Sequence, residues 1–237
     1  MKKLFSLIAI FVISISCTND VKFNNPGFQA YRNGTLFTGV DVKAYQDTSG
    51  YITIVALADN ETINLDLSSS NIGTYNLGTS NIDNLASYTA LLNGFNLEYE
   101  TNAIYGPVAK IETPLISGGT GYTPANGLPT TGGSGTGLSV KTKVSGGVVT
   151  EVTIASPGNG YKAGDLITIN SGGANAKFRI LNVEGSNGEV IITDNSGGTL
   201  TGTFKFNAPK TSTSTTGDDH VNFNNGAFYK IPIVPAP

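Results

Sequence analysis

The chain has little of what most catalytic and metal sites are built from. It contains one cysteine, one histidine and no tryptophan among 237 residues. A zinc site takes three or four nitrogen, sulfur or oxygen ligands, and no second histidine or thiol is available to complete one. A single cysteine also excludes a disulfide within the chain. We therefore interpret the cluster Asp218-Asp219-His220 as part of an exposed loop and not as a metal site.

The common sequence signatures of enzymes are missing as well. No G-x-S-x-G string marks a hydrolase nucleophile, and the glycine-rich stretch 132–137 is not followed by the G-K-[ST] of a phosphate loop. No D-x-D-x-D-G string marks a calcium loop. A paired-carboxylate glycosidase or a weak hydrolase using His220 stays open as an alternative, because sequence gives no distances between side chains. The prediction is a protein that is not an enzyme and uses no cofactor or metal.

Charge is also scarce, since only 13% of the residues are Asp, Glu, Lys or Arg, about half the usual share. From Cys17 onward 12 basic residues face 17 acidic ones, a net charge of −5. Nucleic-acid binding needs clusters of Lys and Arg that neutralise phosphates. We therefore expect no nucleic-acid partner.

The N-terminus carries the one long apolar run, 4–15, preceded by Lys2 and Lys3. Twelve apolar residues fall short of the ~20 that a bilayer requires, so the segment is predicted to be a signal peptide. Cys17 follows the small Ser16, which is typical of a lipoprotein whose cysteine becomes the acylated N-terminus. The residue after it is threonine, not the aspartate that favours inner-membrane retention. We expect a lipid anchor at Cys17 in the outer membrane, facing the cell surface or the periplasm; an ordinary signal peptide cut elsewhere is the alternative.

Alternation of apolar and polar residues dominates the rest of the chain and predicts an all-β fold, mainly antiparallel, sandwich or barrel-like. The segment 82–92 fits a short helix or a strand. Turns are predicted at Asn33-Gly34, Gly146-Gly147, Asn187-Gly188 and Asn225-Gly226. Phe95, Leu97 and Tyr99 are expected to face inward. The predicted strands are 51–58, 61–67, 95–99, 138–144, 148–154, 166–169, 176–181, 189–193, 200–206 and 226–233.

A glycine-rich block, 106–182, contains an approximate duplication. The string SGGTGY at 117–122 recurs as SPGNGY at 156–161, which places Tyr122 and Tyr161 39 residues apart. Glycines at matching places suit turns with positive φ. The two tyrosines either pack over their own turns or contact a ligand such as a glycan. Two units are fewer than a solenoid needs, so we predict a compact two-unit β module.

Short motifs in a fixed order flank this block: NPGFQAYRNGTLFTG, ETINLDL and GTYNLG before it, and GEVIITD, TGTFKFNA and NNGAFYKIPI after it. Over 22–105 and 184–234 this set resembles a family of small lipoproteins of the Bacteroidetes type, with a single β-domain ending in G-x-F-x-x-I-P. Here that motif is Gly226, Phe228, Ile231 and Pro232. The family supplies no catalytic residues, and the chain departs from it by the glycine-rich block.

The block itself is similar to glycine-rich β-repeats in fibre and other virion proteins of tailed phages. The predicted organisation is a signal peptide (1–16), a lipidated tether (17–21), a discontinuous β-domain (22–105 and 183–237) and an inserted module (106–182). We expect an envelope lipoprotein that binds a glycan or another envelope or surface protein. The alternatives are a periplasm-facing structural lipoprotein without a ligand and a phage-linked surface-exclusion lipoprotein.

Overall fold

The computed structural model describes residues 27–78, 83–102 and 104–237, and these are all-β, with 65% of the residues in strands and no helix. The sheets curl into a half-barrel and a nearly closed barrel, which confirms the predicted fold class and its barrel-like form. The apolar run 4–15 and Cys17 lie outside the described residues. Within the described part, no helix is long and apolar enough to cross a bilayer.

Eleven strands form the first sheet, called the large sheet below. They are β1 (Gly27–Arg32), β2 (Thr35–Thr38), β3 (Asp41–Gln46), β4 (Ile52–Ala58), β5 (Glu61–Leu67), β6 (Gly73–Asn76), β7 (Leu85–Leu92), β8 (Phe95–Glu100), β15 (Asn187–Ser196), β16 (Thr199–Pro209) and β17 (His220–Pro235). Six more form the small sheet: β9 (Val108–Ile111), β10 (Ala125–Thr131), β11 (Thr136–Ser145), β12 (Val148–Asn159), β13 (Leu166–Ile169) and β14 (Lys177–Val183).

The large sheet runs in the order β6-β15-β16-β17-β3-β4-β5-β7-β8, with β1 between β17 and β2. Its strands pair antiparallel except where the end of β17 runs parallel to β3, with Ile233 opposite Ala44. The alternation predicted for 61–67 is observed: Ile63, Leu65 and Leu67 are fully buried. Stacked phenylalanines join the two halves of the chain in this core, since the rings of Phe28 and Phe204 lie 4.8 Å apart. The core therefore forms only when the N- and C-terminal strands meet.

The small sheet has the strand order β12-β11-β10-β13-β14-β9. Exchanging the units β9-β10-β11 and β12-β13-β14 gives the same order read from the other end. The first strand of each unit pairs with the third strand of the other. The two tyrosine turns make matching contacts, since the Tyr122 amide donates to Gly147 O and the Tyr161 amide donates to Gly106 O, both over 3.0 Å. The duplicated sequence thus has a structural counterpart, a sheet with an internal two-fold relationship and a separate apolar core.

Two of the predicted turns are wrong. Asn187-Gly188 begins β15, and Asn225-Gly226 lies inside β17. Asn225 adopts φ = +47°, and the pairing of β17 with β1 shifts at this point. The asparagine-glycine pair therefore makes a bulge that lets the strand continue instead of reversing it. Phe95 is a third correction, because it is 53% exposed at a hairpin tip where an inward position was expected.

The two sheets divide along the chain, with the small sheet between Val108 and Val183 and the large sheet before and after it. They touch through hydrogen bonds from Asn182 Nδ2 to Leu77 O (3.3 Å) and from Lys110 Nζ to Asn76 Oδ1 (2.8 Å). This layout does not show which segment was inserted into which, so the insertion stays a prediction. The segment 82–92, left open between helix and strand, contains strand β7.

Candidate ligand-binding site

Hairpin turns of the large sheet gather around a cleft of about 270 Å³, called the Arg32 cleft below. The β1–β2 turn contributes Asn33 to its wall, and the β4–β5 turn contributes Asp59 and Asn60. The loop 210–219 closes another side. The residues that define the cleft here are Arg32, Glu61, Tyr88, Leu97, Tyr99 and Asp218.

Asparagine and glycine residues with positive φ form two of the hairpin turns of the large sheet. Asn33 and Gly34 have φ of +47° and +84°, and Asn93 and Gly94, between β7 and β8, have +51° and +81°. Two successive positive φ values make the turn that matches the twist of a two-residue hairpin, and asparagine followed by glycine adopts it at little cost. The turn predicted at Asn33-Gly34 is confirmed. Because Arg32 precedes it, the turn places the guanidinium at the end of β1.

Arg32 is the central charged group of the cleft. Its Nη1 donates hydrogen bonds to Glu61 Oε1 and to the hydroxyl oxygen of Tyr88, and its guanidinium carbon lies 5.6 Å from the centre of the Tyr88 ring. Among the described residues, Nε and Nη2 of Arg32 have no hydrogen-bond partner. Since the Arg32 side chain is 29% exposed, these N–H groups are open to solvent or to a ligand.

Tyr88 forms the inner wall of the cleft and is only 3% exposed. Burial, and after it the negative charge of Glu61, raise the pKa of Tyr88 to about 12. The phenol therefore stays protonated at any physiological pH and keeps its hydroxyl as a neutral donor. The ring of Tyr99 lies 5.8 Å from that of Tyr88, so two tyrosines and Leu97 form a continuous floor.

The loop 210–219 is held against this floor. Tyr99 donates its hydroxyl hydrogen to Asp218 O over 2.9 Å, and Asn33 Nδ2 donates to Asp218 Oδ2 over 3.0 Å. Lys210 Nζ donates to the carbonyl oxygens of Thr216 and Gly217, each over 3.3 Å. Because both the backbone and the side chain of Asp218 are tied down, its carboxylate has a fixed place at the rim.

The charges of the cleft decide what it accepts. Asp59, Glu61 and Asp218 oppose the single positive charge of Arg32, which leaves a net charge of −2. Leu91 and Leu92, 50% and 45% exposed, add apolar surface at the mouth. An anion would meet repulsion from the three carboxylates. A neutral ligand with hydroxyl groups can accept from Arg32 and donate to the carboxylates at once.

The three residues of the cluster Asp218-Asp219-His220 lie in different surroundings. Asp218 lines the cleft, whereas the Asp219 side chain is 92% exposed and His220 is exposed at the start of β17. No group of three or more metal-ligating side chains occurs in the described ranges. The expectation of an exposed loop fits Asp218 and Asp219, whereas His220, also exposed, begins β17; the sequence did not predict that Asp218 lines the cleft.

Tyr122 and Tyr161 lie in the small sheet, away from the Arg32 cleft, and are 3% and 2% exposed. The Tyr122 hydroxyl accepts from the amides of Asn175 (3.1 Å) and Ala176 (3.0 Å) and donates to Ile169 O (3.1 Å). The Tyr161 ring packs so closely on Gly135 that a Cβ there would lie 2.5 Å from it. These contacts match the turn-packing alternative for both residues, and ligand contact by either ring receives no support from this geometry.

Sequence reasoning missed Arg32, Glu61, Tyr88 and Tyr99. One signal was available for the first two. Arg32 directly precedes the Asn33-Gly34 turn, and Glu61 directly follows Asn60, so both charges lie at a strand position next to a tight turn. Charged groups at neighbouring hairpin ends of one sheet meet when the sheet curls. The two tyrosines carry no such signal.

Comparison with curated proteins and with solved structures finds no match to this chain. A family model described as "Domain of unknown function (DUF6252)" matches residues 24–119 and 142–232. These segments include strands of both sheets and leave out 120–141, which contains β10 and the first part of β11. Since they make up more than half of the chain, the protein belongs to the DUF6252 family.

Proposed function

We propose that this protein is a lipid-anchored component of the cell envelope that binds a glycan in the Arg32 cleft without transforming it. The observation that carries the proposal is the guanidinium of Arg32, of which only Nη1 has hydrogen-bond partners among the described residues. Nη1 is fixed by Glu61 and Tyr88, which leaves Nε and Nη2 for the oxygen atoms of a ligand. A rigid arginine with donors to spare is a preorganised binding group.

The shape and polarity of the cleft support a sugar ring as the ligand. Its volume of about 270 Å³ is just below the usual range for drug-sized ligands, so a single ring is the expected occupant. Leu91 and Leu92, which line the cleft above the buried floor of tyrosines and Leu97, offer apolar surface for the C–H faces of such a ring. The carboxylates around them accept hydrogen bonds from its hydroxyl groups.

The absence of turnover is proposed from the same contacts. Glu61 is paired with Arg32, and the phenol of Tyr88 stays protonated up to about pH 12. A general base must be free to take a proton near the working pH. Neither group meets that requirement.

The proposed anchor at Cys17 is compatible with this site. The chain enters the described fold at Gly27, and β1 then runs for six residues to Arg32, which separates the two by about 17 Å. The ten Cα–Cα steps from Cys17 to Gly27 span at most about 35 Å. The cleft lies at the end of β1 opposite to Gly27, where the chain enters the described fold.

A glycan array tests the binding proposal. We expect the chain from Cys17 onward, made with Cys17→Ala, to bind a restricted set of neutral saccharides. Arg32→Gln should remove that binding, whereas Lys43→Gln, which changes an exposed lysine on β3 by the same charge, should leave it intact. Binding that survives in Arg32→Gln would place the ligand elsewhere, and no saccharide bound by a folded protein would refute the proposal.

Labelling of cells with a fatty acid tests the anchor. Wild type should take up label and Cys17→Ala should not. Protease treatment of intact cells then gives the orientation, because a labelled protein that is digested faces outward and one that is protected faces the periplasm. Unlabelled wild type would refute the lipid anchor while leaving the array result unaffected.

A further inference from the structure

Charge is divided unevenly between the two sheets. The segment 106–182, which holds nearly all of the small sheet, has six basic and three acidic residues, a net charge of +3. The rest of the chain from Cys17 has six basic and fourteen acidic residues, a net charge of −8. This separation gives the surfaces of the two parts electrostatic potentials of opposite sign, so the two surfaces attract different partners.

Three of the basic residues lie on β14 and on the turn that contacts it, and are called the basic patch below: Lys162, Lys177 and Arg179. Lys177 and Arg179 share one face of β14, because residues two apart in a strand point the same way, and the residue between them, Phe178, is buried. Arg179 Nη1 donates to Gly164 O over 3.0 Å, which brings the turn that carries Lys162 against β14.

An aromatic ring borders the patch. Tyr105 is 62% exposed, and the Lys162 ammonium lies 5.8 Å from the centre of its ring. Two carboxylates are close by. Glu112 follows β9, where its amide donates to Arg179 O over 2.9 Å. Asp165 is 8% exposed and accepts hydrogen bonds from Ser134 and from the Lys162 amide, so it adds little negative potential at the surface.

We infer that the basic patch is a second binding surface, distinct from the Arg32 cleft, and that it takes an acidic polysaccharide. A saccharide that bears carboxylate or phosphate groups offers both parts that the patch can recognise. Its acid groups pair with Lys162, Lys177 and Arg179, and a sugar face packs on the Tyr105 ring. The inference does not depend on the function proposed for the cleft, because no residue is shared between the two surfaces.

Two features favour a polysaccharide over a protein partner. A protein interface has an apolar centre surrounded by polar residues. Around the patch, among the described residues, the exposed large apolar side chains are Tyr105, Ile116 and Leu166, 62%, 52% and 41% exposed, and they come from three separate segments of the chain. The cations are also spaced along a strand, since Lys177 and Arg179 are about 7 Å apart, which suits charges that repeat along a polymer.

The test uses polygalacturonate as the acidic probe and dextran as the neutral one, with the chain from Cys17 onward carrying Cys17→Ala. The patch variant is Lys162→Gln with Lys177→Gln, two exposed side chains whose loss breaks no hydrogen bond found within the described residues. The matched control is Lys43→Gln with Lys205→Gln, which removes the same charge from the large sheet. Binding is measured by titration calorimetry at about 0.02 M and about 0.15 M salt, and self-association by sedimentation velocity.

We expect wild type and control to bind polygalacturonate and not dextran, more weakly at the higher salt concentration. The patch variant should bind about tenfold more weakly. Equal loss in the control, or a patch variant that loses dextran binding as well, would overturn the inference. The inference would also be overturned if the wild type does not bind polygalacturonate but dimerises through the patch. The partner of the patch would then be the acidic surface of a second copy.

Discussion

The hydroxyl of Tyr99 donates a hydrogen bond to the carbonyl oxygen of Asp218 over 2.9 Å and so joins strand β8 to a loop 119 residues further along the chain. This contact closes the cleft on the side where the large sheet ends. It also shields the phenol, and burial followed by the charge of Asp218 raises the pKa of Tyr99. The fixed position of Asp218 therefore depends on a neutral tyrosine beneath it.

Replacing Tyr99 by phenylalanine should release the loop 210–219. We expect Tyr99→Phe to lower the free energy of unfolding by about 1 kcal/mol, the usual contribution of one hydrogen bond. Trypsin should then cut faster after Lys210, whose side chain is 11% exposed in the folded protein. Tyr31→Phe is the control, because Tyr31 is 44% exposed and donates no hydrogen bond to a described residue. Unchanged cleavage in Tyr99→Phe would show that the loop is held by its other contacts.

Alkaline unfolding should report on Tyr88. An unfolded tyrosine loses its proton near pH 10, whereas burial, followed by the charge of Glu61, keeps that of Tyr88 up to about 12. The unfolded state therefore binds fewer protons between these values, and stability falls as pH rises, by about 1.4 kcal/mol per pH unit for this group. Tyr88→Phe should make the fall less steep in denaturant titrations from pH 9 to 12. If Tyr31→Phe, at an exposed tyrosine, has the same effect, the assignment to Tyr88 is wrong.

Acid stability should depend on Asp165. Burial raises the pKa of this carboxyl, but the hydrogen bonds from Ser134 and from the Lys162 amide outweigh it, so the pKa lies below 3.8. The ionised Asp165 carboxylate stabilises the fold at a pH above its pKa in the unfolded chain. This stabilisation is lost as pH falls through its pKa in the folded protein. We expect Asp165→Asn to cost about 1–3 kcal/mol at pH 7 and progressively less toward pH 2. Asp219→Asn, at a side chain that is 92% exposed, should cost little at either pH. A destabilisation by Asp165→Asn that stays unchanged in acid would contradict the prediction.

Two glycines without positive φ should respond in opposite ways to alanine. A Cβ on Gly135 would lie 2.5 Å from Asn159 O and 2.5 Å from the Tyr161 ring, so Gly135→Ala should destabilise the small sheet by about 2 kcal/mol or more. A Cβ on Gly73 would meet nothing within 4 Å. Gly73→Ala should therefore be neutral or slightly stabilising, because alanine restricts the unfolded chain. Chemical denaturation of both variants checks this, and equal costs would mean that the tyrosine turn is more adaptable than the structure shows.

The sequence predicted the strands whose alternation is clear. The expected ranges 61–67 and 166–169 coincide with β5 and β13, and 200–206 lies within β16. It missed three of the four-residue strands, β2, β6 and β9, because two alternations seldom rise above chance, although it found β13 of the same length. It also failed at Asn225-Gly226, because the pair supplies positive φ equally well to a bulge and to a hairpin turn.

The Arg32 cleft was beyond sequence reasoning for a different reason. Arg32, Glu61 and Tyr88 lie on β1, β5 and β7, and β1 is not a neighbour of β5 in the sheet. Their contact depends on how far the large sheet curls, which no local pattern records. The packing of Tyr122 and Tyr161 on their turns could be predicted from the sequence, because the glycines that form each turn are next in sequence to the tyrosine that packs on it.

The order in which the strands pair has a consequence for biogenesis. β17, the last described strand, pairs with β16, β1 and β3, so it joins strands from the N-terminal and C-terminal parts of the chain. A chain that emerges from its N-terminus, from a ribosome or through a translocation pore, cannot complete this sheet until its final 16-residue strand is out. Removal of the last few residues of β17 should therefore do more harm than their number implies, and the nascent chain stays in a state suited to threading until β17 has emerged.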